Sequence, residues 1–159
     1  MEIKHLKTYN ENKDSSKFWG RNTKSKTTEE IQELETLFNN GTPFPKAFRE
    51  FLFIGGNFNA IGLETSTGNY KGLHQYYEEG MAARGLKFNR PFMVFHNFEG
   101  AIGMFIYLDE GDDPKVYNCS VSEGYDSDNG EILWKSNYTT FKELIDDLVN
   151  SALNGLQPW

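Results

Sequence analysis

The chain has 159 residues and a mass of 18.3 kDa, a one-domain length able to bury about two-thirds of the surface exposed when unfolded. Its formal net charge of −7 and pI near 5.0 argue against a nucleic-acid partner, since phosphate binding needs a basic footprint. One cysteine, Cys119, excludes an internal disulfide and a four-cysteine zinc site, and no apolar run approaches the about 20 residues of a membrane span. No secretory-type apolar stretch opens the chain, so the expected location is the cytoplasm.

Residues 1–26 carry seven Lys or Arg against three acids and show no apolar periodicity. They read as a polar, basic lead-in tethered by Phe18-Trp19, with a single domain over residues 27–159 that folds without them. Thr27 and Glu30 then form a capping box, and Ile31, Leu34, Leu37 and Phe38 mark one face of a helix that ends before Gly41. A second helix begins at Pro45, which suits a first turn because its φ is already helical and its missing N–H is not needed there. Phe44, Phe48, Phe51 and Leu52 share its core face, while Lys46, Arg49 and Glu50 fall on the opposite one. The pair Gly55-Gly56 is expected to close the helix in left-handed backbone.

Phe58, Ala60, Ile61 and Leu63 suggest a strand that runs into a loop over residues 65–69. Leu73 to Arg84 has partial helical spacing, weakened by Gly80. Pro91 to Phe95 and Ile102 to Leu108 are apolar and β-rich around an Asn97–Gly100 turn, which predicts a hairpin. Lys115 to Val121 and Ile132 to Lys135 supply two more strands. Thr140 and Glu143 open a last helix whose Phe141, Leu144, Ile145, Leu148, Val149, Ala152 and Leu153 form a wide apolar stripe. Sequential hairpins between helices predict an α+β domain: a predominantly antiparallel sheet packed with an N-terminal helix pair and the C-terminal amphipathic helix.

Residues 109–131 hold eight acids against Lys115 alone. A calcium loop does not fit them, because after Asp126 and Asp128 the next ligand position is Gly130 and the bidentate position is Asn137. Asp109, Glu110, Asp112, Asp113, Asp126 and Asp128 are the candidate partner-binding residues, a single-sign surface on loops that would attract a basic protein; a merely solvated face is the plainer alternative. Cys119 lies mid-strand as a buried structural thiol, and His5, His74 and His96 have no metal-type spacing. Neither a catalytic set, a metal nor a cofactor is expected.

The run Pro45, Phe48, Arg49, Phe51, Leu52, Gly55 and Gly56 resembles the SUKH superfamily, named after a fungal regulator of cell-wall synthesis. Phe92 to Phe95, the Asp109–Pro114 loop before Val116-Tyr117, and Thr140 to Leu144 fit its later elements in order. Ile54 stands where the family usually has Asn, and the first 26 residues match no part of the pattern. The resemblance implies a non-catalytic binding protein, either an immunity protein that occludes a bacterial toxin domain, often a nuclease, or a regulatory interaction module. The seven motif residues are implied to be structural.

Overall fold

In the computed structural model, residues 1–18, 22–65 and 68–156 are described. In chain order the elements are α1 (Lys7–Asn12), α2 (Thr28–Asn39), α3 (Lys46–Gly55), α4 (Tyr70–Ala83), β1 (Phe92–Phe98), β2 (Ile102–Tyr107), β3 (Tyr117–Ser120), β4 (Leu133–Lys135) and α5 (Phe141–Leu153). The strands form one antiparallel sheet in the order β1-β2-β3-β4, as expected of consecutive hairpins.

Alternation along the strands divides the core between the two faces of the sheet. Phe92, Val94, Phe105 and Cys119 pack against Leu73, Tyr77 and Met81 of α4. Met93, Phe95 and Ile106 point to the opposite side, where α3 and α5 supply Phe48, Phe51, Phe141 and Leu144. Phe48 is the centre of this second core, its ring lying 5.4 to 6.4 Å from those of Phe44, Phe51, Phe95, Phe141 and Tyr70. Gly103 permits the close seat of α4, since a Cβ there would come within 2.7 Å of the Tyr77 ring.

The first 26 residues do not stand apart from this body. Leu6, Tyr9 and Phe18 are fully buried, and α1, absent from the sequence reading, packs on α5. Tyr9 lies 6.3 Å from the Phe51 ring, and its hydroxyl donates to the Asn59 carbonyl. Glu50, expected on a solvated helix face, is instead buried, and its carboxylate accepts the backbone N–H groups of Lys4, His5 and Leu6, each at 2.8 Å. The segment continues as a bridge between Lys24 and Phe58 and a Lys26 N–H bond to Leu52 O of 3.0 Å. Trp19, the other half of the expected tether, lies outside the described residues.

Three local expectations change. Gly55 and Gly56 are not left-handed; Gly56 has φ −65°. The N-terminal segment crosses Gly55, where a Cβ would collide with the Tyr9 hydroxyl, whereas a Cβ on Gly56 would come within 2.5 Å of the Leu52 carbonyl oxygen of α3 itself. Residues 58–63 are not a strand of the sheet but a buried loop, because Ala60 at φ +54° and Gly62 at φ +93° break the extended backbone. Asn59 organises it, accepting from the N–H groups of Ile61 and Leu63 and donating to Leu63 O. In α2, Ile31 and Leu34 are buried as expected, whereas Leu37 is 57% exposed. The Thr27–Glu30 capping box is complete, but in α5 the Glu143 carboxylate reaches the N–H of Thr139, one residue ahead of the Thr140 cap.

The β1–β2 hairpin turns at Glu99 and Gly100, with φ +51° and +72°, closed by an Ala101 N–H bond to Phe98 O of 3.0 Å. Three residues, 99–101, link the paired Phe98 and Ile102, and the positive φ required at the first of them makes glutamate a poor occupant there. Glu99→Asn, which tolerates left-handed backbone, is expected to raise stability by about 0.5–1 kcal/mol, read as an increased urea midpoint at unchanged slope.

Candidate functional site

The antiparallel path separates the candidate acidic residues. The loop from β2 to β3 carries Asp109, Glu110, Asp112 and Asp113, while the loop from β3 to β4 carries Asp126 and Asp128 at the other end of the sheet. They do not form one cluster.

Most of these acids also hold the fold. Asp109 and Glu110 both meet Arg90, Glu110 at 3.3 Å, and this pairing holds the Asp109 carboxyl below its usual range. The Arg90 guanidinium lies 3.9 Å from the Tyr107 ring centroid. Asp126 takes a two-pronged bond from Arg84 at 2.6 and 2.8 Å, which lowers its pKa in the same way. The turn at 112–114 joins two helix N-termini to the sheet. Asp112 accepts the Ala47 N–H of α3 through its carbonyl at 2.9 Å and pairs with Lys46 through its carboxylate at 2.7 Å. Asp113 accepts the Lys142 N–H at 2.8 Å, and Pro114 O accepts that of Phe141 at 2.8 Å, so one turn satisfies donors of α3 and α5 together. Asp128 is exposed.

Internal pairing does not neutralise these loops. Against their eight acids stand Arg84, Arg90 and Lys46, which pair with them, and Lys115 on the same loop, which leaves an excess of four negative charges among the described residues. Of the motif residues, Phe48, Phe51 and Leu52 are fully buried in the core. Pro45 is the N-cap of α3, one position ahead of its expected place. Arg49 ties α3 to α2 by a 2.8 Å contact from Nε to Glu35, whose carboxylate also accepts the Phe44 N–H at 2.9 Å.

Reactive side chains lie apart from one another. Among the described residues no group of three His, Cys, Asp or Glu is placed to hold a metal ion. The Cys119 thiol is buried, donates to Gly103 O at 3.5 Å, and is pushed up to about 12 by desolvation. His96 sits beside the β1 bulge, its Nδ1 accepting the Glu64 N–H at 2.9 Å. His74 is held between Phe38 and Phe92, with centroid separations of 4.6 and 4.4 Å.

Desolvation lowers both buried histidines from 6.5 to about 4. A folded pKa below the unfolded one means that the unfolded chain binds the extra protons. Stability is therefore expected to be full above pH 6.5 and to be lost progressively as pH falls toward 4. Denaturant midpoints across that window should fall with acidification.

A cleft of about 300 Å³ opens between α2, α4 and the segment entering β1. Leu37 and Phe38, His74 and Glu78, and Phe88 with Arg90, Pro91 and Phe92 line it. Its parts come from three separated segments, so helical or strand periodicity could not assemble them. Two signals were nevertheless present: Leu37 lies at the edge of the α2 stripe, and Phe88 is a lone aromatic between Lys87 and Asn89. No helix among the described residues is long and apolar enough to cross a membrane.

The profile of the SMI1 / KNR4 family (SUKH-1) matches residues 26–147. No curated protein and no solved structure matches the chain significantly. The matched span is well over half of the chain, and the chain belongs to this family, within a superfamily of immunity and regulatory proteins. The match begins at Lys26, so the packed N-terminal segment lies ahead of it.

Proposed function

From this family membership we propose that the chain is an immunity-type protein, acting in the cytoplasm, that binds a basic bacterial toxin domain and neutralises it by covering its working surface. A nuclease is the toxin class the charge fits best, because a nuclease must be basic to hold phosphate and an acidic inhibitor gains encounter rate and complementarity. The supporting observation is the acid excess that survives internal pairing, four negative charges on the two loops. No bond is made or broken by the chain in this role; it acts by occlusion.

Co-expression with any toxin-like domain found encoded beside it in its native genome tests this directly. The expected result is restored growth together with a stoichiometric complex of the purified partners. Growth that stays arrested, with no complex formed, would leave a regulatory interaction module as the better reading.

A kinetic prediction accompanies it. Asp112→Asn with Asp128→Asn removes two exposed carboxylates, and since the Asp112–Lys46 pair is a surface one, stability should change by less than about 1 kcal/mol. Association with the toxin domain should slow and its salt dependence flatten, because exposed charges act on encounter. Stopped-flow rates at low and high salt read both effects; equal rates for the two proteins at low salt would remove these loops from the encounter.

A further inference from the structure

The exposed aromatic side chains share one end of the molecule. Among the described residues they are Tyr76, Phe98 and Tyr125, at 50%, 38% and 44% exposure. The β1–β2 turn gathers them. Phe98 immediately precedes it, and the Tyr76 hydroxyl of α4 donates to Gly100 O at 2.7 Å. The Val121 N–H, at the start of the β3–β4 loop, donates to Ala101 O at 3.0 Å, and Tyr125 follows in that loop with its N–H turned back onto Ser122 O at 3.4 Å. Asn97 accepts the Tyr77 hydroxyl on the α4 side of the sheet, so alternation places Phe98 on the other side, and rings border the turn from both faces. Free charge collects at the same end. Glu99, Glu123, Asp128 and Glu131 are exposed and make no ion pair among the described residues, while Asp126 is held by Arg84. The opposite end of the sheet differs: Asp109, Glu110 and Asp112 are ion-paired there, and Asp113 accepts the Lys142 N–H.

We propose that this end, made of the β1–β2 turn, residues 121–131 and Tyr76, docks an arginine-bearing face of a basic protein partner. Apolar residues exposed singly are ordinary, but the gathering of every exposed aromatic at one end is the composition of an interface. The unpaired carboxylates select the occupant. Rings alone would suit an apolar surface and carboxylates alone any cation, whereas a guanidinium stacks on the first and makes forked bonds to the second. The chain uses that combination internally, with the Arg90 guanidinium 3.9 Å from the Tyr107 ring centroid and paired to Asp109 and Glu110. A second copy of the chain would set the same unpaired acids against each other, and a nucleic acid would be repelled. The proposal rests on the toxin-binding reading for the identity of the partner and refines it by naming which end of the sheet meets that partner.

The probes are the capped peptides hexa-arginine and hexa-lysine, equal in charge and different in their capacity to stack. Titrated into the isotope-labelled full chain, hexa-arginine should produce saturable NMR shifts centred on Tyr76, residues 98–101 and residues 121–131, with little change at 109–115. Hexa-lysine should map to the same residues and bind about threefold more weakly, the scale of one exposed cation–π contact. Glu99→Asn combined with Glu123→Gln should weaken both peptides at least about threefold, the scale of two exposed charge pairs. Tyr76→Leu combined with Tyr125→Leu should erase the preference for arginine and leave the salt dependence in place. Thermal melts confirm that the variants are folded, and the charge variant carries the Glu99→Asn change expected to stabilise the turn, so it keeps the test available if the tyrosine variant unfolds. Shifts centred on 109–115, no saturable shift, equal binding of the two peptides, or unchanged affinity in the charge variant would overturn the proposal. Any of these leaves toxin neutralisation untouched, because growth rescue is read separately, and absence of growth rescue alone leaves peptide binding at this end untouched.

Discussion

Deleting residues 1–26 is expected to abolish the cooperative thermal transition. Leu6, Tyr9 and Phe18 are fully buried, and full burial of a large apolar side chain is worth about 1.5–3 kcal/mol. Their removal opens the Phe51 ring, and with it the aromatic core, to water. A further cost falls on Glu50. Its carboxylate is satisfied by three N–H groups that all belong to the deleted segment, and a hydrogen bond to a charged group is worth about 1.5–3 kcal/mol. These losses together rival the whole stability of an ordinary domain, about 5–15 kcal/mol. Calorimetry of the 27–159 fragment beside the full chain decides it. A transition within a few degrees of the full chain would restore the sequence-based expectation of a dispensable lead-in.

Phe48→Ala is expected to cost about 3–5 kcal/mol, at the upper end of large-to-small core changes. The ring is fully buried and touches five other aromatic rings drawn from α3, α4, β1, α5 and the link before α3. A cavity at such a junction cannot close by moving one neighbour, because each is fixed by its own element. Chemical denaturation should show a lowered midpoint at nearly constant slope. A loss below about 1 kcal/mol would mean that the surrounding rings repack around the gap, contrary to this packing account. Phe51 shares the Phe141 contact with Phe48, so effects at the two positions should not add.

Both expectations arise from contacts across the length of the chain, and this marks what was legible in the residues alone. The α+β class, the order of the four strands and the helices α2, α3 and α5 follow from local patterns: capping residues, apolar spacings and turn chemistry act over a few positions and need no distant partner. The family motif was equally readable, because it lies within one short helix and its two following glycines.

What tertiary structure decided is which groups meet across distance. Leu6 and Tyr9 sit in a lysine-rich stretch without periodicity, so nothing local marks them as core; they are buried because α3 leaves Gly55 small enough for Tyr9 to cross. Glu50 looks like a solvated helix residue until the chain's first turn brings three N–H donors to it. The acidic run of 109–131 reads as one patch in sequence, but an intervening strand carries its halves to opposite ends of the sheet, and Arg84, Arg90 and Lys46 arrive there from elsewhere. The aromatic cleft exists only where α2, α4 and the entry to β1 converge. Local sequence determined the elements because backbone hydrogen bonding and side-chain periodicity are short-range; burial, pairing and the cleft depended on packing, which brings together residues that no spacing along the chain connects.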